Sequence, residues 1–199
     1  MRKEKKTFRL EGKFIYFATG NFHKFDEARR ILAENNIASG MLRVKNIEIQ
    51  SDSLTEIAET SVIDAFNQCH LPIIVEDAGL FVDALKGFPG PYAAYVYKTI
   101  SNPGLLKLME NVEDRKATFR SAIAYYDGQS TPVCFEGEAT GRIADNEIWG
   151  SLRTGFGFDP IFQPKGSKKT FAEMTIEEKN GFSHRANAIQ KFARWYKTQ

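Results

Sequence analysis

Cysteine is scarce in this chain. There are two in 199 residues, Cys69 and Cys134. Both stand among apolar residues without metal-ligand spacing, so they read as buried reduced thiols, not as a zinc site or a disulfide framework, unless the fold brings the pair together. Long hydrophobic runs are also missing. No segment approaches the roughly 18 apolar residues that a membrane helix needs, and no signal-peptide core follows the basic N-terminus, which points to the cytoplasm and away from a membrane. Nor is there an excess of one charge. Lys and Arg number 27 against 25 Asp and Glu, a net +2 too even to imply a nucleic-acid or membrane partner. Repeats, low-complexity tracts and linkers are absent, and 42% hydrophobic with 26% charged residues is the composition of a folded globular chain.

The charge that exists is unevenly spread. Residues 1–13 carry Arg2, Lys3, Lys5, Lys6, Arg9 and Lys13 against Glu4 and Glu11, which leaves the remainder slightly acidic. We expect residues 1–12 to be a basic extension and residues 13–199 to form one domain of two lobes.

Hydrophobic periodicity supplies the outline. Residues 13–18 read as a strand broken by Thr19-Gly20-Asn21. Residues 22–35 read as a helix with Phe22, Phe25, Ala28 and Leu32 on one face. A second strand is expected over 44–49, and a helix over 54–68 opened by a Ser53/Glu56 capping box. Pro72-Ile-Ile-Val75 then reads as a buried strand running through Glu76-Asp77 to Val82. Short helices are expected near 92–98 and 101–110, the second capped by Ser101. Residues 117–126 and 131–143 form a long hairpin about Asp127-Gly-Gln-Ser130, and a last helix starts after Ser183. Strand–helix units giving way to a hairpin imply an α/β fold: an elongated mixed sheet with helices, whose two lobes flank a central cleft.

Four segments carry candidate chemistry. Thr19, Gly20, Asn21, Phe22, His23 and Lys24 leave a strand and open a helix, where free amides and the helix dipole can seat a phosphate. A Thr or Asn can equally cap the helix with no ligand, and the second Gly and Lys-Ser/Thr of a P-loop are lacking. Glu76 and Asp77 interrupt an apolar strand, and ionised carboxylates there need compensation. Neighbouring strand residues face opposite ways, so one cleft receives one of them; near Glu48 it would make a hard-oxygen site suited to Mg²⁺, and otherwise it serves a turn. In Gly155-Phe156-Gly157-Phe158-Asp159-Pro160, glycines beside aromatics permit close approach of a flat ligand, and a kink decides whether one ring stacks while the other enters the core. Ser183 as an N-cap places His184 and Arg185 in a first helical turn, where cations oppose the dipole unless an anion sits between them or a carboxylate elsewhere in the fold answers them. Lys179 lies just upstream.

These blocks also carry a resemblance. Ala18-Thr-Gly-Asn-Phe-His-Lys24, Val75-Glu-Asp-Ala-Gly-Leu80 with Leu85-Lys-Gly-Phe-Pro-Gly90, Gly155–Phe162, Thr170–Met174 and Glu178-Lys-Asn180 with Ser183-His-Arg185 occur in the order and spacing of the inosine triphosphate pyrophosphatase family, over about residues 13–196. The resemblance implies divalent-metal-dependent hydrolysis of ITP, dITP and XTP to the monophosphate and pyrophosphate by a homodimer. It implies that Thr19–Lys24 hold the triphosphate, that Glu48 and Asp77 bind Mg²⁺, and that Asp77 is the general base. Phe156 would stack on the base, Gly157, Phe158 and Asp159 would complete that segment, and Lys179, His184 and Arg185 would recognise the base edge. Ala78 departs from the pattern, since many members have Ser there. A nucleic-acid-binding module using residues 1–12, or a catalytically silent nucleotide sensor, would share some of these features, but neither requires an acid pair in a buried strand.

Overall fold

The computed structural model describes residues 12–45, 47, 49–151 and 155–199. Its frame is a seven-stranded mixed sheet. Strand β1 (Lys13–Ala18) buries Ile15 and Phe17 and leads through Asn21 into helix α1 (Phe22–Glu34). Helix α1 ends at Asn35, and Asn36 takes a left-handed turn (φ 58°) into β2 (Ile37–Leu42), which lies parallel to β1 from Lys13↔Ile37 to Ala18↔Leu42.

The second strand therefore comes earlier than its alternation suggests: of the expected 44–49, residues 44, 45, 47 and 49 are not in a strand, and 46 and 48 lie outside the described residues. The Ala-Ser-Gly interior of β2 has weak strand propensity on its own; pairing with β1 makes it a strand. Downstream, the chain lies along α2 (Leu54–Cys69): the Ile47 amide donates to Asp64 and the Ser61 hydroxyl to the Ile47 carbonyl. The capping box before α2 is half formed. Ser53 accepts the Glu56 amide, while the Glu56 carboxylate takes the Ser51 hydroxyl instead of the Ser53 amide.

Strand β3 (Ile73–Val82) is the spine. It runs parallel to β1 at Tyr16–Ala18 and antiparallel to β5 (Lys116–Tyr126) from Ala117 to Tyr126, with β4 (Pro89–Gly90) pairing beside it. Strand β5 forms the expected hairpin with β6 (Val133–Ile143), and β6 pairs with β7 (Phe162–Pro164). The order is β2-β1-β3-β5-β6-β7.

One face of the sheet is covered by α1 and, after the short α5 (Ile176–Asn180), by α6 (His184–Tyr196), through Ile15, Phe17, Ile31, Leu32, Ile74, Ile123, Ile189 and Phe192. The other is covered by α2, through Ala58, Val62, Ala65, Val75, Ala122 and Ala124. Both free cysteines sit at the margin of this second cluster, half-buried and not fully enclosed. A third cluster gathers the far ends of β3, β5 and β6 with β7, α3 (Ala93–Thr99) and α4 (Ser101–Leu108). Helix α4 is entered from Ile100, and Ser101 lies inside its first turn in the left-handed region (φ 56°), so it does not cap.

Close approach fixes α6. Gly137 of β6 lies under its first turn, where a methyl group would overlap the His184 carbonyl oxygen and the Ala188 amide. That contact sets where His184 and Arg185 stand relative to β3.

Candidate active site

The loop from β1 into α1 caps itself. Thr19 Oγ1 accepts the Asn21 amide at 3.1 Å, and Asn21 Oδ1 accepts the amides of His23 (2.9 Å) and Lys24 (3.3 Å). Those two amides thus already have a partner, and an anion here meets the helix dipole, the rest of the turn and the Lys24 side chain. Gly20, Phe22 and His23 are exposed. The Lys24 ammonium turns to Glu76 Oε2 at 3.0 Å.

Strand β3 sends its two acids to opposite faces. Glu76, like Ile74, faces α1 and α6. There Arg185 Nε stands 3.0 Å from Oε1 and the Ser121 hydroxyl donates to the same oxygen at 2.9 Å. Burial pushes the Glu76 carboxyl up, but Arg185 and Lys24 outweigh it and hold it well below the usual carboxylate range. Asp77 faces α2 and is half-buried. Across the sheet from it lie Ala122 and, one strand further, Glu136. Both line a cleft of about 460 Å³, with Asp52, Ser53 and Leu54 at the start of α2, Phe81 and Arg120.

The remaining candidates join Glu76 through a residue that no motif singled out. Glu27, on the buried face of α1, accepts Lys179 Nζ at 2.7 Å and Arg185 Nη1. Lys179 also donates to Asp159 Oδ2 at 2.6 Å, and that oxygen takes the Phe156 amide at 2.9 Å. The chain Lys24–Glu76–Arg185–Glu27–Lys179–Asp159 thus alternates three cations with three carboxylates. Burial alone would raise Glu27; Lys179 and Arg185 reverse this and bring it to about 2. Burial raises Asp159, which shares one lysine with Glu27 and feels that second negative charge. Lys179 is held above its ordinary value because Asp159 and Glu27 together outweigh its burial.

The conflict at the start of α6 is resolved by chemistry elsewhere in the fold. Ser183 Oγ accepts the Ala186 amide, and Arg185, fully buried, is answered by Glu27 and Glu76. Burial, with Arg185 beside it, pushes the His184 imidazole well below its usual range, so it stays neutral and adds no charge against the dipole. Its ring stacks on Phe119 at 4.7 Å and 9°.

Gly157, left-handed at φ 58°, separates the two phenylalanines. Phe158 is buried edge-on against Tyr97, within the third core cluster, so its ring does not face the site. Phe156 stays half-exposed, with His23 stacked on it at 5.2 Å and the Lys179 ammonium 4.7 Å from its centre.

Lys24, Phe156, Asp159, Lys179 and Arg185 are therefore brought together, with Glu27 and Ser121 as partners that sequence reasoning missed. Glu27 had one legible sign: it stands four residues before Ile31 on the face that turns inward. Ser121 stands directly across from Ala78, so a hydroxyl is present on the neighbouring strand where residue 78 has none. Asp77 is on the other face, and Glu48 lies outside the described residues. Among the described residues no group of three or more His, Cys, Asp or Glu side chains could hold a metal ion. Magnesium needs fewer, since one or two carboxylates with phosphate and water oxygens suffice. Glu76 is held by two cations and a hydroxyl; Asp77 is a half-buried carboxylate on the face of the cleft lined by Asp52, Glu136 and Glu138 with Arg120 and Lys191, and a carboxylate is the donor a hard divalent ion takes.

A family model described as the Ham1 family matches residues 15–195. A dITP/XTP pyrophosphatase of Methanopyrus kandleri is 50% identical over 183 residues, covering 92% of this chain and 96% of that one. One from Thermococcus kodakarensis is 49% identical over 183 residues, covering 92% and 97%. Among solved structures, the Ham1 protein of Staphylococcus aureus superposes with a TM-score of 0.78 at 29% identity, over 94% of this chain and 99% of that one.

Proposed function

The chain belongs to the Ham1 family, and from that premise we propose that it hydrolyses non-standard purine nucleoside triphosphates, ITP, dITP and XTP, to the monophosphate and pyrophosphate. The observation that carries this reading is the convergence of sequence-distant blocks: Lys24, Glu76, Arg185, Glu27, Lys179 and Asp159 form one charge-alternating, largely buried cluster beside the half-exposed ring of Phe156. That is the equipment for holding a flat base next to an anionic chain.

In the reaction a water oxygen bonds to the α-phosphorus, the bond to the bridging oxygen breaks, and pyrophosphate leaves. By the family resemblance Asp77, on the α2 face of β3, accepts the water proton, while Lys24 with the α1 dipole, from the Glu76 face, offsets charge developing on the phosphates. A divalent cation held by Asp77, with Glu48, would neutralise phosphate oxygens. The base edge supplies selectivity. Hypoxanthine and xanthine offer an O6 acceptor and an N1 proton, whereas adenine offers an amino group and a bare ring nitrogen, so a site arranged around Arg185, His184 and Asp159 leaves groups unpaired against adenine. The cluster's members hold one another through ion pairs, which favours recognition by rigid donors and acceptors over adaptation.

The same reading makes residues 13–199 one catalytic domain working as a cytoplasmic homodimer, its dimeric state open to sedimentation analysis. A panel of nucleoside triphosphates with Mg²⁺, assayed separately for pyrophosphate and orthophosphate, tests the activity. Pyrophosphate is expected from ITP, dITP and XTP. Orthophosphate alone would point to another phosphohydrolase, and a preference for ATP or GTP would remove the specificity.

A further inference from the structure

We propose that His23 is the outer wall of the base site, and that the purine enters between its imidazole and the ring of Phe156. This rests on the reading that Phe156 receives the base, and it departs from the expectation that all of Thr19–Lys24 serve the triphosphate.

The two rings already stack, 5.2 Å apart and 15° from parallel. The other groups at the Phe156 ring are cations, Lys179 at 4.7 Å and Arg185 at 5.6 Å, and both are buried. They approach from the interior, while His23 is exposed and approaches from solvent. The face of Phe156 that a ligand can reach is therefore the face that His23 covers. A base stacked on Phe156 must displace the imidazole or share the space with it.

Sharing is feasible. Two rings flanking a base stand about 7–8 Å apart, two layers of optimal carbon contact, so the imidazole needs to move outward by roughly 2–3 Å. The His23 backbone stays fixed, because its amide is bound by Asn21 Oδ1. Its side chain, exposed on the first turn of α1, can make that movement by rotation about Cα–Cβ. The imidazole presents a face, not an N–H edge, towards Phe156, which suits a flat π system better than a phosphate oxygen. Arrival of the base then exchanges one stacking contact for two.

The test compares the wild-type protein with His23→Ala and His23→Phe, measuring dissociation constants calorimetrically for IMP and for inorganic tripolyphosphate, which carries phosphates but no base. Stacking on an aromatic side chain is worth about fivefold or more in affinity. We expect His23→Ala to weaken IMP binding by about that factor, to leave tripolyphosphate binding within twofold, and His23→Phe to restore IMP binding. Unchanged or tighter IMP binding by His23→Ala would overturn the proposal, as would a parallel loss for tripolyphosphate, a His23→Phe variant no better than the alanine, or no IMP binding by the wild type. Turnover of ITP by the wild type is scored separately, so failure of the hydrolase reading and failure of the His23 assignment are distinct results.

Discussion

Glu27→Gln is the most informative single perturbation, because it removes one negative charge from the centre of a buried cluster while nearly preserving shape. In the wild type, Lys179 and Arg185 each touch Glu27 and one further carboxylate, Asp159 and Glu76 respectively. Neutralising Glu27 leaves three buried or half-buried cations facing two carboxylates. The magnitude follows from the carboxyl itself, held at about 2 against an ordinary 4.5. Every tenfold weakening of proton affinity on folding is worth about 1.4 kcal/mol, so the charged form contributes about 3 kcal/mol, in line with the roughly 3–5 kcal/mol lost when one partner of a buried ion pair is removed. The sign follows from the lowered value: this stability is fully present above pH 4.5 and is lost as pH falls from there toward 2. Urea unfolding at pH 7 should therefore show Glu27→Gln about 3 kcal/mol less stable, with a melting temperature lower by about 6–12 °C. The variant should also lack that share of the acid-induced loss. Combining it with Lys179→Met should cost less than the two single changes added, because the residues share one interaction. A loss below about 1 kcal/mol at pH 7, with the acid limb unchanged, would refute the view that the cluster is held together through Glu27.

Other outcomes follow from the same geometry. Asp77→Asn should lower kcat for ITP by about 10²-fold or more, the usual contribution of a general base, without altering IMP affinity; near-normal turnover would remove Asp77 from that role. Gly137→Ala should destabilise by about 1–3 kcal/mol in chemical denaturation, since the added methyl overlaps backbone of α6, and a neutral effect would mean that the helix can shift off β6. Burial, with Glu59 and Glu136 nearby, pushes the Cys134 thiol up to about 12, so alkylation by iodoacetamide at pH 8 should be much slower in the folded than in the urea-unfolded protein, as mass spectrometry of the modified peptide would report.

The sequence by itself determined the elements whose signals are local. Strand β1, helices α1, α2 and α6, the β5–β6 hairpin and the strand through Glu76-Asp77 follow from periodicity, caps and turn residues, which act between neighbours along the chain. It also determined that Glu76 and Asp77 face opposite ways, because that is a property of any strand. Tertiary structure decided what each face meets. Strand β2 exists because β1 lies beside it; its own Ala-Ser-Gly has little strand character. Glu27 looks like one more acid on an amphipathic helix until Lys179 and Arg185, from the other end of the chain, fold against it. Phe156 and Phe158 carry equal claims in the sequence, and the left-handed turn at Gly157 sends one ring to the core and leaves the other under His23. The physical reason is common to all three. A buried charge or a half-polar strand is stable only with a partner, a ring takes the place its packing allows, and the partner's identity is a fact about distance in space that spacing along the chain does not encode.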